Sequence, residues 1–97
     1  MNQGSSLTVH EGEIKVHGPL TFATVPGLFI ESSSIINSAS ETITIDLQDV
    51  SRTDSAGLAL LIEWLRTAGS RTRFVNVPAQ LRRLIDVSGL AHAFGID

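Results

Sequence analysis

Apolar and polar residues alternate in two short runs near the start of the chain, Leu7-Thr8-Val9 and Ile14-Lys15-Val16, with Glu11-Gly12-Glu13 between them. A period of two is the pattern of a half-buried strand, and a glycine-bearing break between two such runs predicts a β-hairpin. Gly18-Pro19 is expected to end the second strand. The spacing then changes. Val25, Leu28, Phe29, Ser32, Ile35 and Ile36 recur at intervals that predict a helix over 24–38, with Thr24 as its N-cap, Pro26 in its first turn and Asn37-Ser38 as its stop. Alternation returns in Thr42-Ile43-Thr44-Ile45-Asp46-Leu47, the clearest strand of the sequence, whose β-branched residues suit a pleated surface. Residues 48–54 read as a polar loop. A helix is predicted over 55–68, with Gly69-Ser70 as its stop. Arg73-Phe74-Val75-Asn76-Val77 reads as a short strand, and Pro78 opens a third helix, 78–88, with Leu81, Leu84 and Ile85 on one face and Gly89 at its end. Residues 90–97, with Leu90, Ala91, Phe94 and Ile96, are expected to pack as a short last turn or helix.

The order is therefore ββαβαβα. Strands alternating with helices favour an α/β fold, here one domain over 7–97 behind a polar lead-in of residues 1–6. The expected sheet is mixed and mostly parallel, of about four strands, with about three to four helices. A length of 97 residues fits a single domain.

Composition narrows the function classes. Net charge is −3, and the seven basic residues are dispersed, which argues against a nucleic-acid-binding surface. The absence of cysteine excludes disulfides, thiol catalysis and cysteine metal sites. Residues 1–6 hold no apolar signal core, and no run approaches the ~18 apolar residues of a membrane span. The expected location is the cytoplasm, with membrane contact only through a partner.

The informative stretch is Asp54-Ser55-Ala56-Gly57-Leu58, where a polar segment opens an apolar helix. The first N–H groups of a helix lack intrahelical acceptors, and Asp54 or Ser55 can supply one. Capping alone would explain these residue types. The alternative is that Ser55 offers an exposed hydroxyl at an electropositive helix tip, for partner contact or for phosphoryl acceptance. Gly57 would let another backbone approach. Along this helix Leu58, Leu61, Ile62 and Leu65 form the stripe expected to face the sheet, and Leu60 and Trp64 widen the apolar arc to roughly 200°. Trp64 either fills a gap beneath a neighbouring helix or, with Leu60, stays partly exposed and meets a partner.

Other residues give no catalytic pattern. His10, His17 and His92 lack metal-ligand spacing, and Glu11 and Glu13 belong to the hairpin turn. Asp46, Asp49 and Asp54 could converge at strand ends, but Asp49 and Asp54 suit turn and cap roles better than a metal site. No Gly-rich phosphate loop and no nucleophile elbow is present, so neither a cofactor nor an enzymatic activity is expected.

Asp54-Ser55-Ala56-Gly57-Leu58 resembles the signature of STAS domains, the family of anti-sigma-factor antagonists and sulfate-transporter tails. Leu84-Ile85-Asp86-Val87-Ser88-Gly89-Leu90 is similar to the family's second landmark, at the end of the last helix. The antagonists typically read Asp-Ser-Ser-Gly, with the phosphorylated serine just before the glycine. That place is Ala56 here, which leaves Ser55 as the only hydroxyl of the motif. The motif, together with Gly18–Pro26 and Gly57–Leu65, looks closer to MlaB-like STAS subunits, which bind the cytoplasmic ATPase of a phospholipid-transport ABC complex. The resemblance implies a non-enzymatic adaptor whose partner is an ABC transporter ATPase subunit, or alternatively an anti-sigma factor kinase. It implies that Ser55 is the partner-binding residue or phosphoacceptor, with Asp54, Ala56, Gly57, Leu60 and Trp64 at the same interface.

Overall fold

The computed structural model describes residues 4–38 and 41–96. It has the elements β1 (Ser6–His10), β2 (Glu13–Leu20), α1 (Val25–Ser38), β3 (Ile43–Thr53), α2 (Ser55–Ala68), β4 (Thr72–Val75) and α3 (Ala79–Val87), with a 3₁₀ turn at Gly69–Arg71. The strands lie in the order β1-β2-β3-β4. β1 and β2 pair antiparallel, while β2–β3 and β3–β4 are parallel. The order ββαβαβα and the mixed sheet are those expected from the pattern.

The hairpin turns on Glu11 and Gly12, both at positive φ (46° and 82°), the backbone that lets a two-residue loop follow the twist of its strands. Ile14, Ile45 and Phe74 stand in register across the sheet, and these side chains, with Val16 and Leu47, are buried in one core cluster. α1 contributes Leu28 and Ile36 to that cluster, α2 Leu60, Leu61 and Trp64, and α3 Leu81 and Ile85. The next row of the sheet, Lys15, Asp46 and Val75, points the other way, as the period of two requires.

Several boundaries differ from the sequence reading. Gly18-Pro19 does not end β2. The parallel register with β3 shifts between Lys15 and His17 and again between Gly18 and Leu20, and these irregularities keep the glycine and the proline within the strand. Residues 48–53 are not a loop but the second half of β3, because β2 continues alongside as far as the Leu20–Thr53 pair. β4 stops at Val75, since Asn76 adopts φ 55°. Thr24 does not cap α1 with its side chain. Its buried hydroxyl accepts from the Thr21 N–H at 2.9 Å and donates to the Pro19 carbonyl at 2.8 Å, tying the helix start back to the strand it follows.

Of the expected lead-in, Ser5 is buried and donates its hydroxyl to the Pro19 carbonyl, and Ser6 opens β1; residues 1–3 lie outside the described residues. α3 closes as foreseen on Gly89. The N–H of Leu90 reaches the Ile85 carbonyl and that of Gly89 the Asp86 carbonyl, the paired bonds of a Schellman ending. The final segment then packs in turns, with Phe94 edge-on to Phe74 at 5.1 Å between ring centres; residue 97 lies outside the described residues. No helix among the described residues is long and apolar enough to cross a membrane.

Candidate functional site

The site is assembled where β2, β3 and α3 converge on the start of α2. Asp54 is extended (φ −123°, ψ −167°), and its Oδ1 accepts from the Ala56 N–H at 2.8 Å, the bond of an N-cap. Its other oxygen accepts from the Phe22 N–H at 3.2 Å, and its own N–H donates to the Leu20 carbonyl at 3.0 Å. Asp54 therefore clamps the β2–α1 turn to α2, and its half-buried carboxylate is engaged on both oxygens within the chain.

Thr53 completes the clamp. Its buried hydroxyl donates to the Leu20 carbonyl at 3.0 Å, and its N–H donates to Oε1 of Gln80, on α3, at 3.1 Å. Gly57 sits against this hydroxyl. A Cβ there would run into Thr53 Oγ1 and would lie 3.0 Å from Leu20 Cβ and 3.2 Å from the Leu20 carbonyl. The expected close approach of a second backbone is real, but the backbone is the chain's own.

Ser55 is the residue that this framework leaves at the surface. It is the first residue of α2 and is exposed, beside the terminus that the Asp54 carboxylate caps. Beside it, Thr53, Asp54, Gln80, Arg83, Leu84 and Val87 line a groove of about 390 Å³ between α2 and α3. Phe22, whose N–H is bonded to Asp54, has a side chain that is 74% exposed. Val87 is 78% exposed at the end of α3. Val87 thus gives the groove beside the serine an exposed apolar rim.

The other expected contact residues are elsewhere. Ala56 and Gly57 are buried. Leu60 and Trp64 are 1% and 2% exposed, so the expectation that they are partly exposed and meet a partner is corrected: both are core. The Trp64 indole N–H donates to the Ser32 hydroxyl of α1 at 2.8 Å. α2 packs against α1 as well as the sheet, and this turns its buried side onto Ala56, Gly57, Leu60, Leu61, Trp64 and Ala68. Ile62, expected to face the sheet, is exposed, and Leu58 and Leu65 are only half-buried.

The acidic residues of β3 and its end go to separate partners. Asp46 is buried on the sheet face away from the core and accepts from Asn76 Nδ2 at 3.0 Å and from the Gln48 N–H at 2.9 Å, with Lys15 Nζ at 3.9 Å. Burial pushes its pKa up. The Asn76 and Gln48 hydrogen bonds, with the charges of Lys15 and His17, outweigh that and hold it below the ordinary aspartate value. Asp49 stands 3.2 Å from His17 Nδ1, and His17 Nε2 is 2.9 Å from the Thr8 hydroxyl.

A family model described as "Mlab, STAS domain" matches residues 4–96. The chain belongs to the STAS domain family. STAS domains are protein-interaction modules. Solved structures with the same fold include an anti-sigma factor antagonist from Mycobacterium paratuberculosis, 24% identical, with a TM-score of 0.78 over 94% of this chain and 81% of that one. The phosphorylated form of SpoIIAA, a Bacillus cell fate determinant, is 23% identical, with a TM-score of 0.67 over 91% and 86% of the two chains. A sulfate transporter family protein from Wolinella succinogenes is 18% identical, with a TM-score of 0.66 over 91% and 75%. No curated protein sequence matches the chain.

In this STAS domain the sequence singled out Ser55 and Asp54 but passed over Phe22, Gln80 and Val87. A signal for two of them was present. Phe22 is an aromatic residue in the short segment between a strand and a helix, where an apolar side chain has little to pack on. Val87 falls off the Leu81–Ile85 line that buries α3. Gln80 gave no such signal, because its bond to the Thr53 N–H joins positions 27 residues apart.

Proposed function

We propose that this STAS domain is a non-enzymatic adaptor that binds the cytoplasmic ATPase of a bacterial phospholipid-transport ABC complex of the Mla type. The observation that carries this reading is the match of residues 4–96 to the family model described as Mlab, joined to an exposed Ser55 at the tip of α2. Asp54, Thr53 and Gln80 spend their polar groups inside the chain and hold the tip rigid, which favours a preformed docking surface over a reaction centre. Such an adaptor acts by binding one state of the ATPase more tightly than another, since a ligand without that preference shifts no equilibrium. Its membrane association is indirect, through the transporter.

The test is co-purification of the tagged chain from its host, followed by binding and ATP-hydrolysis assays with the recovered ATPase. Ser55→Asp is expected to weaken that complex about tenfold or more while leaving the melting curve within a few degrees of wild type. The fold tolerates the change because Asp54 is the cap, and Ser55 occupies a first-turn position where a carboxylate is favoured. Unchanged affinity in Ser55→Asp would count against the tip as the docking point.

A second reading is an anti-sigma factor antagonist, controlled by phosphorylation of Ser55 by an anti-sigma factor kinase. It is favoured by the exposure of Ser55 and by fold relatives that bear that description. Against it stands Ala56, buried and without a hydroxyl, in the place next to the glycine. Recovery of a kinase in place of an ATPase, with phosphate lost in Ser55→Ala, would reverse the ranking.

A further inference from the structure

The groove beside Ser55 has an unusual balance of charge. Its apolar lining comes from Leu84 and Val87 of α3, and Arg83 is the cation among its lining residues. The Arg83 side chain makes no hydrogen bond or ion pair among the described residues. The neighbouring Arg82 is engaged differently, donating to the Ile96 carbonyl. The one carboxylate in the lining is Asp54, and both of its oxygens already accept backbone N–H groups. Asp86, one turn of α3 from Arg83 in sequence, is exposed, is not paired with it and does not line the groove. The groove is thus apolar at Leu84 and Val87, the Asp54 carboxylate is taken up by the α2 terminus and the Phe22 amide, and the Arg83 guanidinium is the charged group left free to pair.

We propose that the α2–α3 groove receives a segment of the partner protein in which a carboxylate stands beside an aliphatic side chain. The carboxylate meets Arg83, and the aliphatic group covers Leu84 and Val87. The proposal rests on the reading of the Ser55 tip as the docking end and adds the chemistry of what docks. Arg83 suits a carboxylate because its planar fork can donate two parallel N–H bonds, whereas lysine offers only a point charge. Exposed valine at the helix end supplies the apolar contact that a charge pair in water lacks.

The test places the photo-crosslinking amino acid p-benzoylphenylalanine at Val87 of the full chain, in its host, and sequences the crosslinked peptide. A second chain carries the same group at Ile30, exposed on α1. The expected adduct at Val87 is a peptide with Asp or Glu within a few positions of Leu, Ile or Val. Arg83→Glu should lower its yield about tenfold, and Arg83→Lys by a smaller factor. An adduct without a carboxylate near the crosslink, a yield indifferent to Arg83→Glu, or crosslinking at Ile30 with none at Val87 would each overturn the proposal. The identity of the crosslinked protein decides the ATPase reading separately. An acidic, aliphatic segment from a protein other than an ATPase sinks that reading and leaves the groove's chemistry standing.

Discussion

Gly57→Ala separates a folding role from a binding role at the centre of the motif. The new methyl group would meet Thr53 Oγ1 and would lie 3.0 Å from Leu20 Cβ and 3.2 Å from the Leu20 carbonyl. Overpacking of this kind costs about 1–3 kcal/mol. Displacing the Thr53 hydroxyl from the Leu20 carbonyl, now 3.0 Å away, adds a loss of about 0.5–1.5 kcal/mol. Alanine's better helix propensity returns at most ~1 kcal/mol. The net expectation is a loss of about 0.5–3.5 kcal/mol, with the melting point falling roughly 4–8 °C per kcal/mol in a domain of this size. The assay is urea unfolding followed through Trp64, the single, buried tryptophan. The clash can be isolated with Thr53→Ala, which removes the obstructing oxygen. Gly57→Ala should then cost less in the Thr53→Ala background than in wild type, a coupling that a double-mutant cycle measures. Equal costs in both backgrounds, or a Gly57→Ala protein as stable as wild type, would refute the argument that glycine is needed for this contact.

Further predictions concern the clamp, the core and acid stability. Asp54→Ala removes the acceptor for both the Ala56 and Phe22 amides and should cost about 1–3 kcal/mol, more than an ordinary cap; a loss below ~0.5 kcal/mol in urea unfolding would show that the second bond contributes nothing. Ser32→Ala leaves the buried Trp64 N–H without its acceptor, and a loss of about 1–3 kcal/mol with an altered tryptophan emission is expected; an unchanged unfolding curve would place a water there instead. Asp46, with its pKa held below the unfolded value of about 3.9, contributes stability that is present above that value and lost as pH falls through the folded pKa. The stability advantage of wild type over Asp46→Asn should therefore shrink below about pH 4; a difference constant from neutral pH into that range would contradict the shift.

The legibility of the sequence varied with the distance over which each feature is decided. The α2 boundaries, Ser55 and Ala68, could be read from Asp54 and Gly69 because capping is local chemistry within one turn. The end of β3 could not. Its polar residues Gln48, Asp49, Ser51 and Arg52 look like a loop, and they are strand because β2 runs beside them. The face of α2 was misjudged for a related reason. A helix that is apolar over most of its circumference does not say which side is covered, and contact with α1 selected the Leu60–Trp64 side. Of the candidate site, Asp54 and Ser55 were legible from their motif, whereas Ala56, Gly57, Leu60 and Trp64 proved to be buried structure.

The chain's own order of periods, two then 3.6 in alternation, determined the element order and the α/β class, because each period buries one face and leaves few ways to pack. It also determined that the helix at 55–68 would begin on a capped tip. Which apolar side chains remain in water was decided only by tertiary packing. Val87 and Arg83 share a groove with Ser55 because α2 and α3 meet there, through the bond from Thr53 to Gln80, and Phe22 is left exposed on the turn bonded to Asp54. Exposure is a property of what does not come near a side chain, and no local spacing encodes that.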